Sequence, residues 1–473
     1  MSLVTLSSCD KFLDVKPDDN IYEEEVFSTE RGFTKALSGV YKSMATNNLY
    51  RNALKFGALD LIVGYWTVGL NDQTSRDFIN FNYTNNEPRA KIDAMWGGLY
   101  NAIHQTNIII SYLPNIEGSE NYKIIAGEAY GLRAYLHLEV FKNFGPIIKK
   151  EGLNAIAIPY YLAPQHKPEK YKTAKEVLDL MEADLQKSVE FLKEDPIIKV
   201  GRTGDLNNPN VGNYNALYDR RGIRMNIYAA KALLARKSLF AGNLNEAYDR
   251  AMLVINELKE SKAIRFMSDK DLENDKMDLR FSVENIFALY DNNSRIAFAE
   301  NFLNNRNYTI AYANNLDKIY ESGTGSFYDI RFNWGLGNYY YEYFSKFIVS
   351  ADESSASSIN HATHELQLIN LPEMYLIAAE SKEEENPAEA IRLLDEFRSN
   401  RGFVEPLKLA DSKEIQQALI DEVRREYIGE GYLFSFLKRR FLPIPVTGKI
   451  VPASLEIYKL PIPQDENLYN PKP

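Results

Sequence analysis

Two predicted helix pairs share the connecting pattern Asn-x-x-Glu-Ala, and this repeat strongly limits the folds open to the chain. A helix over Met225–Phe240 leads through Ala241-Gly242 into Asn243-Leu-Asn-Glu-Ala247, and a second helix follows to Glu260. A helix over Pro372–Glu384 leads in the same way into Asn386-Pro-Ala-Glu-Ala390 and a helix over Ala388–Ser399. In each pair an Asn is placed to cap the second helix, and an Ala is small enough to let the paired helix approach. We therefore expect a mostly α (α+β) protein, built as a bundle of tetratricopeptide-like helical hairpins.

Helical periodicity fills two blocks of the chain, residues 91–260 and 371–440. In the first block, Tyr122–Phe144 is predicted as a long helix that ends in the breaker cluster Asn143-Phe-Gly-Pro146. Another helix is predicted over Thr173–Leu192, where Thr173 and Glu176 have the capping-box spacing. The separation of the two blocks indicates a helical bundle that is split by an insertion.

The remaining stretches lack helical periodicity. Residues 49–90 and 261–370 are rich in Gly and Asn, which favour turns and irregular backbone, although Ile286–Tyr290 and Phe298–Leu303 resemble strands. Segment 441–473 holds seven of the nineteen prolines, so we expect an extended cover without helix. We predict an N-terminal tether over residues 1–17 and a single domain over 18–473, with an irregular ligand-facing lobe on a helical scaffold.

Composition excludes several classes of function. The net charge of −10 argues against a nucleic-acid partner, which needs a basic surface. A single cysteine excludes internal disulfides and a Cys-rich zinc site, and His361-Ala-Thr-His364-Glu365 lacks the spacing of a zinc-binding helix motif. The chain has no P-loop, dinucleotide fingerprint or nucleophile elbow, and no apolar run of transmembrane length. We therefore predict a protein that is not an enzyme and has no cofactor and no metal site.

The single cysteine, Cys9, follows a short apolar lead and two serines. A bacterial lipoprotein cleavage site has this form, and its cysteine carries the lipid anchor. The alternative is an inert small hydrophobic side chain in a cytosolic chain. The eight residues before Cys9 lack a basic region and are too short for a complete signal peptide, so this form of the chain would be soluble. Residues 1–8 would then be a truncated leader or a non-native addition.

A series of motifs extends along nearly the whole chain. In order, they are Asp10-Lys-Phe-Leu-Asp-x-x-Pro17, Trp96-x-x-x-Tyr100-x-x-Ile103-x-x-x-Asn107, Gly127-Glu128-Ala-x-x-Leu132-Arg133-Ala134, Phe144-Gly-Pro146, Asp329-x-Arg331, Lys346-Phe347, Pro372-Glu-Met-Tyr375, Arg398-x-x-Arg401-Gly402, Glu422-x-x-x-Glu426-x-x-x-Glu430-Gly431 and Leu460-Pro-Ile-Pro463. This order resembles that of the SusD/RagB family of outer-membrane nutrient-binding lipoproteins. Because Trp96, Glu128, Arg133 and Glu426 lie on periodic helices, we expect them to cap, pair or pack.

The sequence also departs from the family pattern at two places. Asn370 and Leu371 stand where the family often has Arg before Pro372. Leu433 and Phe436 stand where the family usually has Arg and then Asp, so an ion pair would be replaced by two apolar side chains. These departures leave the subfamily open.

The resemblance implies a lipid-anchored protein at the surface of the outer membrane that captures a nutrient, with an oligosaccharide as the expected ligand. The family works as a lid on a SusC-like TonB-dependent barrel transporter, to which the ligand is delivered without any bond being made or broken. The helical face would contact the barrel and the loops would contact the ligand. Two alternatives stay open: a surface glycan hydrolase on a helical scaffold, and a helical-repeat scaffold for other proteins.

Two irregular segments have the composition of a sugar-binding surface. Sugar recognition needs flat aromatic faces beside planar polar groups, and in the family the glycan platform comes from loops in corresponding early and mid-chain regions. The alternative is that the aromatic residues pack the loops onto the helical bundle. The predicted ligand-binding residues are Tyr65, Trp66, Asn71, Asp72 and Arg76 in the early segment, and Tyr290, Asn292, Arg295, Trp334 and Tyr339 in the mid-chain segment.

Overall fold

The body of the protein is a stack of long helices. The computed structural model describes residues 23–165, 167–203, 217–272, 278–304, 308–310, 320, 329–331, 335–338, 341–344, 346–347, 364–446 and 449–472. Within these ranges, the helices of nine or more residues are α1 (Glu30–Met44), α2 (Asn86–Tyr112), α3 (Tyr122–Phe144), α4 (Ala174–Phe191), α5 (Ile227–Ala241), α6 (Leu244–Ser261), α7 (Leu371–Lys382), α8 (Pro387–Ser399), α9 (Ser412–Glu426) and α10 (Tyr432–Arg440).

Each long helix packs against the next one in the chain, from α1 to α10. This nearest-neighbour packing is the arrangement of helical-repeat proteins. Helices α6 and α7 also pack directly against each other, although residues 262–370 lie between them in sequence. The insertion therefore begins and ends at neighbouring points of the helical stack. The predicted helical bundle with an insertion is therefore confirmed. In the described part of the chain, no helix combines the length and apolar character that crossing a bilayer requires.

The helix boundaries follow local capping chemistry. Helix α3 has the predicted bounds, and α4 begins after Thr173, which forms both bonds of the predicted capping box with Glu176. Asn386 caps α8 by accepting a hydrogen bond from the backbone N–H of Glu389 at 3.3 Å. Asn243 precedes α6 in the same position, but its side chain accepts no capping bond, so only one of the two predicted Asn caps is formed.

The strands form short two-stranded ribbons around the helical stack. In the described residues they are β1 (Trp66–Val68), β2 (Ile156–Pro159), β3 (Tyr171–Thr173), β4 (Asn285–Tyr290), β5 (Tyr308–Ile310), β6 (Gly335–Asn338), β7 (Tyr341–Phe344), β8 (Glu365–Asn370), β9 (Ile444–Val446) and β10 (Lys449–Val451). They pair antiparallel as β1–β5, β2–β3, β4–β8, β6–β7 and β9–β10. The β4–β8 ribbon joins the start of the insertion to its end, with Asn285 opposite Asn370 and Tyr290 opposite Glu365.

Three expectations about local structure are corrected. Residues 298–303 are helical, in a short helix (Ser294–Phe298) followed by a π-helix (Ala299–Asn304), because Phe298 and Phe302 are both buried at helical spacing. The C-terminal cover contains two short helices, Leu455–Tyr458 and Gln464–Tyr469, which fit between its prolines. The early irregular stretch likewise contains the short helices Ala58–Ile62 and Gln73–Ile79.

A buried network of charges joins the insertion to helices α8 and α9. Arg401 contacts Glu284 at 2.6 Å and Glu426 at 2.7 Å, and its side chain is 0% exposed. Arg331, also 0% exposed, contacts Glu422 at 2.9 Å and Glu426 at 3.1 Å. The expectation that Glu426 makes a structural pair is therefore confirmed. We refer to these five side chains as the arginine network.

The other motif residues also have structural partners. The Glu128 carboxylate accepts a hydrogen bond from the Tyr41 hydroxyl at 2.7 Å, and Arg133 contacts Asp184 at 2.6 Å. Trp96 is buried against Phe144, with ring centroids 5.0 Å apart. These contacts confirm that the three motif residues pair or pack inside the bundle.

The departures from the family pattern have local explanations. The Asn370 side chain caps α7 by accepting from the backbone N–H of Glu373 at 3.2 Å, and it also accepts a bond from the Tyr427 hydroxyl at 2.8 Å. Leu433 and Phe436 are both buried in the core. Apolar packing therefore occupies the place where the family pattern suggests an ion pair.

Replacing Arg401 tests how much the arginine network contributes to stability. We expect Arg401→Leu to lower the free energy of unfolding by about 3–5 kcal/mol, because Glu284 and Glu426 would stay buried without their partner. Urea denaturation measures the change. Arg392→Leu is the matched control, since Arg392 is about half exposed in its ion pairs and should cost at most about 1 kcal/mol. Equal losses of unfolding free energy in the two variants would mean that the arginine network contributes no more to stability than an exposed ion pair.

Buried carboxylates make the stability sensitive to acid. Burial acts to raise the pKa of Glu422 and Glu380, but neighbouring arginines outweigh it and hold each pKa at about 2. Since the unfolded pKa is about 4.3, their contribution is complete above that pH and is lost as the pH falls towards 2. We expect the Tm measured by calorimetry to fall between about pH 5 and pH 3, and Glu422→Gln to flatten this decline. A native Tm that is constant over that range would refute the assignment.

Candidate functional site

The two segments predicted to bind ligand lie together in the structure. Strand β1 of the early segment pairs with β5 of the mid-chain segment, with Trp66 opposite Ile310. Arg51 and Asp291 join the same two segments by a bidentate ion pair, with Nε–Oδ2 at 2.6 Å and Nη2–Oδ1 at 2.9 Å. We call the described residues of 49–90 and 285–310 the binding lobe.

Tyr65 and Trp66 belong to the interior of the binding lobe, which corrects their prediction as ligand contacts. Their exposed fractions are 4% and 2%. The Trp66 Nε1–H donates to the carbonyl of Phe56 at 2.6 Å, and its ring contacts that of Phe302 at 5.0 Å. The Tyr65 hydroxyl donates to the carbonyl of Arg424 at 2.9 Å. Both rings are covered on their faces, so they hold the lobe together and present no surface to a sugar.

A polar cleft of about 350 Å³ opens in the binding lobe. Four of its nine polar lining residues are Asn, and the other five are two hydroxyl residues, two carboxylates and one lysine. Its polar lining residues are Asn47, Asn48, Asn52, Asp72, Thr74, Ser75, Glu87, Lys91 and Asn301. The apolar part of the lining includes Phe78 and Leu61. We call this the asparagine cleft.

One wall of the asparagine cleft is the short helix Gln73–Ile79. Asp72 caps this helix by accepting a hydrogen bond from the backbone N–H of Ser75 at 3.0 Å. Asp77 holds the following turn, because its Oδ1 accepts from Gln73 Nε2 at 2.9 Å and from Asn82 Nδ2 at 3.2 Å. Hydrogen bonds from Asn85, Asn82 and Gln73 lower the pKa of Asp77, so its carboxylate stays charged and keeps the wall rigid.

The opposite wall comes from the mid-chain segment through Asn301 in the π-helix. The Asn301 amide nitrogen donates to the carbonyl of Ala297 at 2.7 Å, which fixes the side chain and leaves its amide oxygen as an acceptor. Asn301 reaches the cleft because Phe298 and Phe302, on the same helical turn, pack against Phe56 with ring centroids at 4.7 and 5.3 Å. The cleft is thus formed by both predicted segments.

The other predicted binding residues have different places. Among the described ones, Asp72 lines the asparagine cleft. Asn71 and Arg76 are close to Asp72 in sequence but are not lining residues. Asn292 is exposed. Tyr290 is half-buried, with the Arg220 guanidinium 5.5 Å above its ring. The side chain of Arg295 and the whole of Trp334, Tyr339 and Cys9 lie outside the described residues.

Sequence reasoning missed Asn47, Asn48, Asn52 and Asn301 as lining residues. The available signal was the group of three Asn immediately after α1, together with the position of Asn301 within the Asn-rich stretch. These amides were not predicted because the aromatic residues of the two segments were expected to form the sugar-binding surface.

A larger cleft of about 660 Å³ lies on the helical stack between α6, α7 and α8. Its charged side chains largely pair with one another or with neighbours: Lys259 contacts Glu396 at 2.5 Å, and Arg265 contacts Asp271 at 2.6 Å. The Tyr375 hydroxyl also donates to Glu396, at 2.8 Å. Because these polar groups already have partners, we favour the smaller asparagine cleft as the candidate site.

Comparison with protein families gives two matches that follow one another along the chain. Residues 11–202 match a family model described as starch-binding and associating with the outer membrane, and residues 213–442 match the model of the SusD family. The chain belongs to the SusD family. The predicted family is therefore confirmed.

A curated relative and solved structures agree with this assignment. SusD-like protein P38 of Formosa agariphila is 26% identical over 191 residues, which are 40% of this SusD-like chain and 35% of that protein. This match thus spans about a third of the length of the curated relative.

The fold is shared with crystal structures over nearly its full length. A SusD-like carbohydrate binding protein from Bacteroides vulgatus aligns with a TM-score of 0.67 at 18% identity, covering 93% of this chain and 96% of that one. A SusD superfamily protein from Bacteroides thetaiotaomicron aligns with a TM-score of 0.70 at 20% identity, covering 93% and 97%. These likenesses confirm the mostly α fold with tetratricopeptide-like hairpins.

Separating the two segments should open the binding lobe. We expect Arg51→Ala to lower the free energy of unfolding by about 1–3 kcal/mol, because Asp291 is 5% exposed and would lose its bidentate partner. Urea denaturation measures the loss, and hydrogen exchange should show faster exchange in β1. Lys175→Ala, in an exposed ion pair with Asp179, is the control and should change neither measurement. Unchanged exchange in β1 of Arg51→Ala would contradict the role of this pair.

Proposed function

We propose that this SusD-like protein is a cell-surface receptor that binds an oligosaccharide in the asparagine cleft. The carrying observation is that two distant segments meet to form a cleft whose polar lining includes four Asn side chains. Amide groups both donate and accept hydrogen bonds, as sugar hydroxyls do. The family description as starch-binding supports a carbohydrate over other nutrients.

Around the cleft, we propose further contacts for a ligand longer than one sugar. Asn71, Arg76 and Asn292 are polar groups at the surface of the binding lobe, and Tyr290 offers a half-buried ring. Arg295, Trp334 and Tyr339 stay proposed contacts from sequence. In this proposal Tyr65 and Trp66 support the lobe from inside and do not contact the ligand.

We further propose delivery of the ligand to a SusC-like TonB-dependent barrel, with Cys9 as the lipid anchor in the outer membrane. The described association of the family with the outer membrane supports this location. The helical stack would contact the barrel, which leaves the binding lobe accessible to ligand. Co-purification of the barrel from native membranes tests the partner, and mass spectrometry of the native protein tests the lipid on Cys9.

Binding measurements test the proposed ligand site directly. We expect a glycan array to identify an oligosaccharide, and Asp72→Ser and Asn301→Ala each to weaken its binding by about tenfold in calorimetry, the effect of one lost hydrogen bond to a charged or well-placed group. Serine at position 72 can still cap the helix, so folding should be retained. Asn245→Ala, an exposed amide on α6, is the control and should bind normally.

The other candidate functions give different results in the same experiment. Release of shorter sugars during incubation would indicate a glycan hydrolase and contradict simple binding. A blank array together with a stable protein partner would favour the scaffold alternative. Equal affinity of the Asp72→Ser, Asn301→Ala and Asn245→Ala variants would place the glycan outside the asparagine cleft.

A further inference from the structure

A second, smaller cavity lies under the C-terminal segment, away from the residues that form the asparagine cleft. Its volume is about 250 Å³, and it lies between α2, the segment around 161–165 and the short helix Gln464–Tyr469. Its lining includes Trp96, Tyr100, His104, Tyr161, Gln165 and Glu466. We call it the strap pocket. Its size is just below the usual range for ligand pockets, about 300–1,000 Å³, which suits a fragment with a single six-membered ring.

Aromatic rings make up much of the strap pocket. The Trp96 and Tyr100 ring centroids are 4.8 Å apart, and those of Tyr100 and Tyr161 are 5.5 Å apart. The three rings come from two turns of α2 and from the segment that follows β2. Because a cation is attracted by an aromatic ring within about 6 Å, a small cavity bordered by three rings favours a cation.

Three of the hydrogen-bond donors around the pocket are already used within the protein. The Asn107 amide nitrogen donates to the carbonyls of Tyr161 at 3.0 Å and Ala163 at 3.4 Å. The Tyr100 hydroxyl donates to the carbonyl of Pro159 at 3.0 Å, and Gln165 Nε2 donates to Glu169 at 2.9 Å. The acceptors that face the cavity include the Glu466 carboxylate and the Gln165 amide oxygen. A fitting ligand would therefore donate hydrogen bonds.

The charge of the strap pocket also favours a cation. Among its described lining residues, Glu466 carries the only carboxylate, and none is Lys or Arg. Burial raises the pKa of Tyr100, and electrostatic interaction with Tyr161 and Glu466 raises it further. A negative charge beside aromatic faces and without a basic lining residue favours a positively charged ligand.

The segment that carries Glu466 is fixed at both ends. Arg89 Nη2 donates to the carbonyl of Ile462 at 2.6 Å, and Asn470 Nδ2 donates to the carbonyl of Glu169 at 2.8 Å. Asn470 Nδ2 also donates to Glu466 Oε1 at 2.8 Å. The carboxylate is thus oriented before any ligand binds, which reduces the entropy lost on binding.

From these observations we propose that the strap pocket binds a compact organic ammonium ion, a protonated primary amine on a body the size of a six-membered ring. The ammonium group would donate to Glu466 and Gln165, and the body would lie against Trp96, Tyr100 and Tyr161. A neutral sugar fits less well, because it has no positive charge to match the Glu466 carboxylate. This site is independent of the proposed glycan site, so either can fail without the other.

Two probes of nearly the same shape test the proposal. Cyclohexylamine is protonated at pH 7, and cyclohexanol is its neutral counterpart. We expect calorimetry at fixed salt to show that cyclohexylammonium binds at least about tenfold more tightly than cyclohexanol or glucose. Glu466→Gln should remove this preference. Glu456→Gln, an exposed acid with the same change of charge in the neighbouring short helix, should retain it.

Each alternative outcome has a clear meaning. Saturation by cyclohexylammonium that resists Glu466→Gln, or equal affinity for cyclohexanol or glucose, would overturn the proposal. Absence of saturable binding up to about 10 mM would overturn it as well, since the affinity would then be negligible. Thermal unfolding and circular dichroism of both variants check that the fold is intact, and NMR shifts of the Trp96 indole locate the bound probe.

Discussion

Arg401 is the side chain on which the joining of the two parts of this protein depends. It lies at the end of α8 and contacts Glu426 on α9 and Glu284 just before β4, all without contact with water. A buried guanidinium must be matched closely by carboxylates, because an unmatched charge in the interior costs several kcal/mol. These pairs therefore favour the observed arrangement of the insertion on the helical stack, and Arg331 adds the same kind of contact through Glu422 and Glu426.

The helical stack could be predicted from the sequence because its determinants are local. Periodic apolar residues and the Thr173–Glu176 capping box placed α3 and α4 almost to the residue. The errors occur where local signals are short. Phe298–Leu303 fits a strand or a helix equally well by composition, and packing of Phe298 and Phe302 against Phe56 decides for helix. The capping role of Asn243 failed because its position alone cannot ensure the hydrogen bond.

The candidate site was predictable as a region but not as a set of side chains. The Asn-rich composition of two segments correctly indicated parts of one lobe, and Asp72 lies in its cleft. Tyr65 and Trp66 were misplaced because an aromatic ring serves equally well as a core residue and as a sugar platform, and the sequence does not show which face is covered. Asn47 and Asn301 come together only through tertiary packing, which no spacing in the sequence reveals.

The β4–β8 ribbon has a consequence for how such proteins diversify. Because it holds Asn285 beside Asn370 and Tyr290 beside Glu365, the chain leaves the helical stack and re-enters it at neighbouring points. The distance between the two ends of the insertion stays constant when its sequence changes. Loop closure entropy grows only slowly with length, so a change of length by itself carries a small thermodynamic cost. Exchanges that keep the buried anchors Asp291, Phe298, Phe302 and Arg331 could therefore vary the rest of the insertion, by evolution or protein engineering, on an unchanged scaffold.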